Sequence, residues 1–238
     1  QSSFFSSIVC SILNLKLIIR VSEDPITATI HSDNYFLGII IMLSKIITYN
    51  LSYKILVKSN QMKNSIKKLT INKKKIILQH NMNLRYIRSS KILNKKNIFL
   101  SLGRFCKQKN QVLILKAFRI YIDRNRGDNH KLYLCGDGPD KDKLIRLNKK
   151  LQLENHVKFY EWQKNTDNLF KKSKYFLMPS LYEGLSNTLI EAINYNLIPL
   201  CSNTSGVKDI CGNNYILLKK NDPIDICSRM EYAKKNYN

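Results

Sequence analysis

Tyr175-Phe-Leu-Met-Pro179-Ser180-Leu-Tyr-Glu183-Gly184-Leu185-Ser186-Asn187-Thr188-Leu-Ile-Glu191-Ala192 is the stretch on which the reading of the fold turns. Its first five residues are an apolar run closed by proline, which reads as a buried strand. A polar turn with one glycine follows. From Ser186 to Asn196 the apolar positions return at helical spacing. A strand that passes through a turn into a helix is the repeating piece of a parallel α/β sheet, and ligands bind at the carboxyl edge of such sheets. The amides that open a helix, with its dipole behind them, favour an anion such as a diphosphate. Gly184 allows close backbone approach. Glu183 can accept hydrogen bonds from sugar hydroxyls, and Glu191 can bind two vicinal hydroxyls, as on a ribose. The same residues also read more plainly: Glu183 as a complement to the helix dipole, Glu191 as part of a solvated face.

The rhythm extends in both directions. Asn97–Leu102, Lys131–Cys135, Val157–Tyr160 and Ile198–Ser202 read as strands, and Gln108–Arg124, Asp140–Leu151 and Thr166–Lys171 as helices. Upstream, Lys16–Val21, Lys54–Ser59 and Lys75–Leu78 read as strands, with helices over Tyr35–Ile47 and Asn60–Leu69. Two further strand ends carry chemistry. Gly103-Arg104-Phe-Cys-Lys-Gln-Lys109-Asn110 sets a guanidinium fork and an ammonium at a sheet edge, suited to a leaving group that gains negative charge. A surface turn in a lysine-rich chain explains the same residues. Gly136-Asp-Gly-Pro139 lacks the third glycine of a dinucleotide fingerprint and reads either as a loop near the base or only as a turn of the chain.

Composition bounds the alternatives. The chain has 238 residues, 44% of them hydrophobic, and a formal net charge of +23. The lysines are scattered, as a biased composition produces. The charge also suits anionic lipid surfaces or phosphates. No zinc finger, RNP motif or arginine-rich arm points to nucleic acid. The six cysteines have no metal-ligand spacing and read as buried free thiols. His31, His80, His130 and His156 read as surface or loop residues. Phe4–Leu13 could pass for the core of a signal peptide but has no preceding basic region and no small-residue cleavage site, and Tyr35–Ile47 is too short to span a bilayer. The chain starts with glutamine inside an apolar stretch, which reads as a fragment lacking its true beginning.

Taken together, GRxxxxK, then GDGP after a strand, then EGLSNTLIE resemble the glycosyltransferase family 4 group (glycosyl transferases group 1), whose signature is two glutamates separated by seven residues. Val157–Gln163, Phe176–Gly184 and Ser202–Asp209 resemble the stretches around that signature, with Asp209 where the family usually has glutamate. The likeness is strong over 97–222 and weaker over 15–84, where Lys58–Lys63 and Gln79–Asn81 resemble the end of a first domain. The resemblance implies a GT-B fold, α/β with two Rossmann-like domains. Residues 1–84 would be a partial acceptor-side domain, 85–96 a linker, 97–222 the donor nucleotide-sugar domain and 223–238 a C-terminal helix cut short. It implies a retaining transferase that moves a sugar from a nucleotide-diphosphate donor, by family habit a UDP-sugar, to a glycan or polyprenyl-linked glycan acceptor in surface polysaccharide synthesis. Arg104 and Lys109 would hold the diphosphate and stabilise it as it leaves, and Glu183 would contact the donor sugar. Gly103, Gly136, Gly184, Leu185, Ser186, Asn187 and Thr188 would line the donor, and Glu191 would bind the ribose. No metal or other cofactor is implied, and no DxD motif is present. The expected location is cytoplasmic, peripheral on the inner membrane face. The family's glycine-rich acceptor loop and first-domain histidine are not found; Ser22-Glu23-Asp24 stands where the histidine is sought. An inactive remnant and a basic polyanion- or membrane-surface-binding module are the alternatives.

Overall fold

The computed structural model describes residues 2–31, 34–79, 95–219 and 221–237. They form two compact units. One comprises Gln1–Asn83 with Tyr182–Ser186 and Thr204–Asp209, and the other comprises the rest of the chain.

In the first unit the elements run α1 (Ser2–Ile12), β1 (Ile18–Arg20), α2 (Pro25–Ile30), α3 (Tyr35–Leu51), β2 (Lys54–Val57), α4 (Asn60–Lys67) and β3 (Ile76–Leu78). The strands are parallel in the order β1-β2-β3. Alternation puts Ile19, Ile55, Val57 and Ile76 on one face, where Met62 and Ile66 of α4 seal them. The helix starts are capped as the sequence dictates. Asp24 Oδ1 accepts from the Ile26 and Thr27 amides, and Ser59 Oγ accepts from Met62 N. Lys75 is buried, and its ammonium donates to the carbonyls of Asn50 and Ser52 at the end of α3. Charge that looks like compositional excess thus closes a helix C-terminus. The helix expected over Tyr35–Ile47 runs on to Leu51, and Phe4–Leu13 falls largely within α1. None of the described helices is long and apolar enough to cross a membrane.

In the second unit β4 (Lys96–Leu102), α5 (Gln111–Arg124), β5 (Lys131–Cys135), α6 (Lys141–Lys150), β6 (Val157–Tyr160), α7 (Asp167–Lys172), β7 (Ser173–Met178), α8 (Asn187–Asn194) and β8 (Ile198–Ser202) follow in turn. The chain then continues through α9 (Val207–Cys211), β9 (Ile216–Leu218) and α10 (Pro223–Asn236). The sheet is six-stranded, ordered β6-β5-β4-β7-β8-β9, and every pairing in it is parallel. Phe99 of β4 stacks on its cross-strand neighbour Tyr175 of β7, with ring centroids 4.6 Å apart, and Phe118 and Tyr121 of α5 complete the cluster. Residues 85–94 of the stretch expected as a linker lie outside the described residues, as do His80 and Asn81, and β4 begins at Lys96.

Two expectations need correcting. His130, expected at the surface or in a loop, does lie in the loop just ahead of β5 but is not at the surface. It is buried beside the rings of Phe99 and Tyr121, and burial lowers its pKa. The helix expected from Gln108 starts at Gln111, because Asn110 takes a left-handed conformation with φ 58°.

All six cysteines are free thiols, with Cys135, Cys201, Cys211 and Cys227 buried and Cys10 and Cys106 half-buried. Burial pushes Cys211 and Cys227 up to about 11. Because the thiolate is the reactive form, Ellman's reagent is expected to label Cys10 and Cys106 promptly. Cys211 and Cys227 should react only on unfolding. Prompt labelling of Cys227 in the native chain would contradict its burial.

Candidate functional site

In the second sheet β4 lies between β5 and β7, so the chain winds outward one way through β5 and β6 and the other way through β7, β8 and β9. The boundary between β4 and β7 is therefore a topological switch point. Loops leaving the two strands diverge there and open a crevice at the carboxyl edge. The two corners singled out from sequence leave these two strands. Gly103–Asn110 follows β4, and Pro179–Leu181 follows β7. They are joined directly: Leu181 N donates to Gln108 O at 2.8 Å, and the Asn110 side-chain amide donates to Pro179 O at 3.4 Å and Asn221 Oδ1 at 2.7 Å. The left-handed Asn110 is what lets the chain turn from this contact into α5.

The β4 corner is held rigidly. Gly103 N donates to Cys135 O, Phe105 N to Asp137 O, and Asp140 N to Phe105 O. Gln111 Nε2 donates to Arg104 O at 2.9 Å. Phe105 is fully buried and meets Phe159 edge to face. The Arg104 backbone is thus fixed from both sides while its side chain is exposed. The stem of Lys109 lies across Gly103, its Cε 3.5 Å from where a Gly103 Cβ would stand. Gly136 backs onto the same corner, and a Cβ on it would lie 2.0 Å from Gly103 O. The space beside Gly136 is filled by the chain itself, so steric necessity accounts for this glycine.

Past the second corner, α8 places Asn187, Thr188 and Glu191 at i, i+1 and i+4, on one polar face. Leu189, Ile190 and Ala192 are buried on the other. The Glu191 carboxyl is raised above the usual carboxylate range, first by partial desolvation and then by the negative charge of Asp167. Burial, with Asp167 and Glu191 adding to it, pushes the Tyr195 phenol up to about 12.

Glu183, Gly184, Leu185 and Ser186 are buried and belong to the first unit. Their neighbours there went unforeseen. Asp24 N donates to Glu183 O at 3.3 Å. A Cβ on Gly184 would stand 1.9 Å from Ser22 O and 3.3 Å from Glu23 Cα. Gly206, at φ +84°, packs in turn against Gly184 O and Leu185. Tyr182 stacks on His31 with centroids 6.1 Å apart. Thus the structure brings Gly103, Arg104, Lys109 and Gly136 together at one corner and Asn187, Thr188 and Glu191 on one helix face. It sets Glu183–Ser186 against Ser22–Asp24. The sequence marked Ser22–Asp24 only as a departure from a pattern, and nothing in it signalled the role of His31 or Gly206.

A family model described as "Glycosyl transferases group 1" matches residues 83–238. An uncharacterised glycosyltransferase of Methanocaldococcus jannaschii is 40% identical over 100 residues, 42% of this chain and 24% of that one. A Campylobacter jejuni α-1,4-N-acetyl-D-galactosaminyltransferase is 30% identical over 147 residues, 60% of this chain and 40% of that one. Its name gives its acceptor as GalNAc-α-(1→4)-GalNAc-α-(1→3)-diNAcBac-PP-undecaprenol. Among solved structures, Anabaena Alr3699/HepE in complex with UDP and glucose superposes with a TM-score of 0.79 at 14% identity, over 98% of this chain and 66% of that one. The chain therefore spans less than half the length of these two relatives. The structural likeness establishes the fold, α/β of GT-B type, as the sequence led us to expect.

Proposed function

The chain belongs to the glycosyl transferases group 1 family, and from that premise we propose that it moves a sugar from a nucleoside-diphosphate donor, a UDP-sugar, to a glycan or polyprenyl-linked glycan acceptor with retention of anomeric configuration. The observation that carries this reading is the switch point between β4 and β7, with the Arg104/Lys109 corner on one strand and the α8 corner on the next. The diphosphate takes the cations of Arg104 and Lys109 together with the amides that open α8. Asn187 and Thr188 stand in the first turn to meet it. Glu191 accepts from the two ribose hydroxyls, and Glu183 from a donor-sugar hydroxyl. The bond from the anomeric carbon to the diphosphate oxygen breaks, and its electron pair leaves with the phosphate. The acceptor oxygen enters on the same face, and its proton passes to the departing phosphate oxygen. Cations and helix dipole take the developing charge, so this scheme requires no metal. The location that fits such an acceptor is the inner face of the membrane.

Glu191 supplies the test. Loss of charge-assisted hydrogen bonds is worth about 1.5–3 kcal/mol, so Glu191→Ala is expected to weaken UDP binding on the order of tenfold to a hundredfold by calorimetry. Undiminished binding would remove the assigned role. The pH dependence has a definite sign. The raised pKa means that Glu191 protonates at higher pH than an ordinary glutamate, so on acidification UDP affinity should begin to fall at a higher pH than an ordinary glutamate would give. For the fold the sign is opposite. A raised acid favours the folded state below its unfolded pKa, and that contribution is lost as pH rises through the folded value. Glu191→Gln at neutral pH should therefore melt no lower than the parent chain while binding UDP poorly. The net charge of +23 supports a second reading, a general polyanion binder. That reading predicts steeply salt-dependent binding that ignores both the base and Glu191.

A further inference from the structure

Within the first unit α3 packs on α1 and α2, and Gly38 and Tyr49 are buried on its inward side. Its outward side is apolar. Phe36, Ile40, Leu43, Ile47 and Leu51 recur every three or four residues, so they form one stripe along the helix, and all five are exposed, Phe36 by 73%. Leu37 and Ile41 widen the stripe. In α1 the residues Phe5, Val9 and Ile12 repeat the pattern, again exposed. Scattered exposed apolar residues need no explanation, but a continuous apolar helix face marks an interaction surface.

Charge selects the partner. Residues 1–83 carry eleven Lys and Arg against three Asp and Glu. A second copy laid on this face brings like charge to like, whereas an anionic bilayer brings the opposite sign. The ends of the two helices are tied together, since Tyr53 N, just past α3, donates at 2.8 Å to the carbonyl of Leu17, just past α1. There the exposed Tyr53 ring has the ammonium groups of Lys16 and Lys54 at 5.2 and 5.6 Å from its centroid. A tyrosine between lysines at the end of an apolar face suits a membrane–water boundary, with the ring at headgroup depth and the ammonium groups on phosphates. Neither helix is long and apolar enough to cross a bilayer, so the fitting arrangement is helices lying in the interface plane.

We propose that the exposed faces of α1 and α3, with Lys16, Tyr53 and Lys54 at their joined ends, dock the chain onto an anionic lipid surface. This deepens the transferase reading above and rests on it in one respect: a polyprenyl-linked acceptor lies in such a surface, so docking raises the concentration of acceptor around the chain.

The test is co-sedimentation of the full chain with vesicles of phosphatidylglycerol and, separately, of phosphatidylcholine. The parent should partition about tenfold or more strongly onto phosphatidylglycerol. The Phe36→Asp/Ile40→Asp double variant should lose about tenfold or more of that partition, because two apolar side chains no longer enter the lipid. Its melting temperature should not fall, since both side chains are exposed in the free chain. Lys16→Gln/Lys54→Gln should lose about tenfold on phosphatidylglycerol and nothing on phosphatidylcholine, a selectivity that misfolding cannot mimic. Ile145→Asp, at an exposed apolar residue of α6, is the control and should sediment like the parent. Equal partition of the parent onto the two lipids overturns the proposal, as does equal partition of parent and Phe36→Asp/Ile40→Asp onto phosphatidylglycerol. Light scattering that shows a dimer of the parent, dissociated by Phe36→Asp/Ile40→Asp without loss of vesicle binding, also overturns it and gives the face to a second copy. UDP calorimetry separates the two readings. A parent that docks but does not bind UDP leaves the surface standing while the transferase reading falls, and a parent that binds UDP but no vesicle overturns the docking surface alone.

Discussion

Gly184→Ala is expected to lower the melting temperature and to cost about a hundredfold in sugar transfer, while leaving UDP affinity within a few-fold of the parent. Gly184 is not in a left-handed conformation, so backbone strain is not the source of the effect. The source is space. The new Cβ would stand 1.9 Å from Ser22 O, 2.9 Å from Ser22 C and 3.3 Å from Glu23 Cα, and all three are backbone atoms that no rotamer change can move aside. Relief requires the 182–186 segment to shift against Ser22–Asp24 by an ångström or more, which breaks the bond from Asp24 N to Glu183 O. Overpacking of this kind costs about 1–3 kcal/mol, and a displacement of about 1 Å at a group that positions substrate costs about a hundredfold in rate. Arg104, Lys109 and Glu191 belong to the other unit, so the UDP contacts proposed for these side chains should change little, and only those of the amides opening α8 should weaken. Gly127→Ala is the control. It has φ +91° but nothing within 4 Å, so it should show conformational strain without loss of transfer. Thermal unfolding, calorimetry and turnover separate the three effects. A Gly184→Ala chain that melts and turns over like the parent would show that the segment has room to spare.

That glycine also shows where sequence reading stopped. Strand ends at Leu102, Cys135, Tyr160 and Ser202 were legible because apolar runs terminate there in glycine or polar residues. The glutamate pair and the Arg104/Lys109 corner were singled out because their spacing matches a known motif; Arg104 and Lys109 do share the β4 corner, whereas Glu183 and Glu191 belong to different units. What Gly136 and Gly184 face was not. Gly184 read as a place of close backbone approach and the Gly136 turn as the shaper of a loop, but which groups approach, the carbonyls of Ser22 and Gly103, is set by neighbours distant in sequence. The break at Asn110 was hidden because residues 107–111 are all polar, so no apolar phase marks where α5 begins. Only the contacts to Pro179 and Asn221 explain why the helix starts late. His130 reads as a surface or loop residue, and it is a loop residue between Asn129 and Lys131 but not a surface one. Rings from neighbouring elements, Phe99 and Tyr121, bury it, which no local pattern reports. The helices α2 and α9 and the strand β9 are too short to establish a period.

Arg104→Ala is expected to reduce kcat by about a hundredfold to a thousandfold while changing UDP affinity only several-fold. The asymmetry follows from when the charge appears. In the bound donor the diphosphate already carries negative charge, but the oxygen that leaves the sugar gains more as the bond breaks. A cation fixed at that oxygen is therefore worth more in the transition state than in the ground state. Fixation is what the β4 corner provides. Gly103, Phe105 and Gln111 clamp the Arg104 backbone through bonds to Cys135 O, Asp137 O and Arg104 O, so the guanidinium projects from a preorganised loop. Arg104→Lys should recover only part of the loss, because an ammonium offers a point charge where the guanidinium offers a planar fork. Lys109→Ala should cost less, about tenfold. The Arg104→Ala/Lys109→Ala double variant should fall short of the product of the single losses, because both cations act on one anion. Steady-state kinetics with saturating acceptor decide the matter. A variant that raises KM and leaves kcat intact would mean that Arg104 binds ground state and transition state alike, and its role would shrink to donor capture.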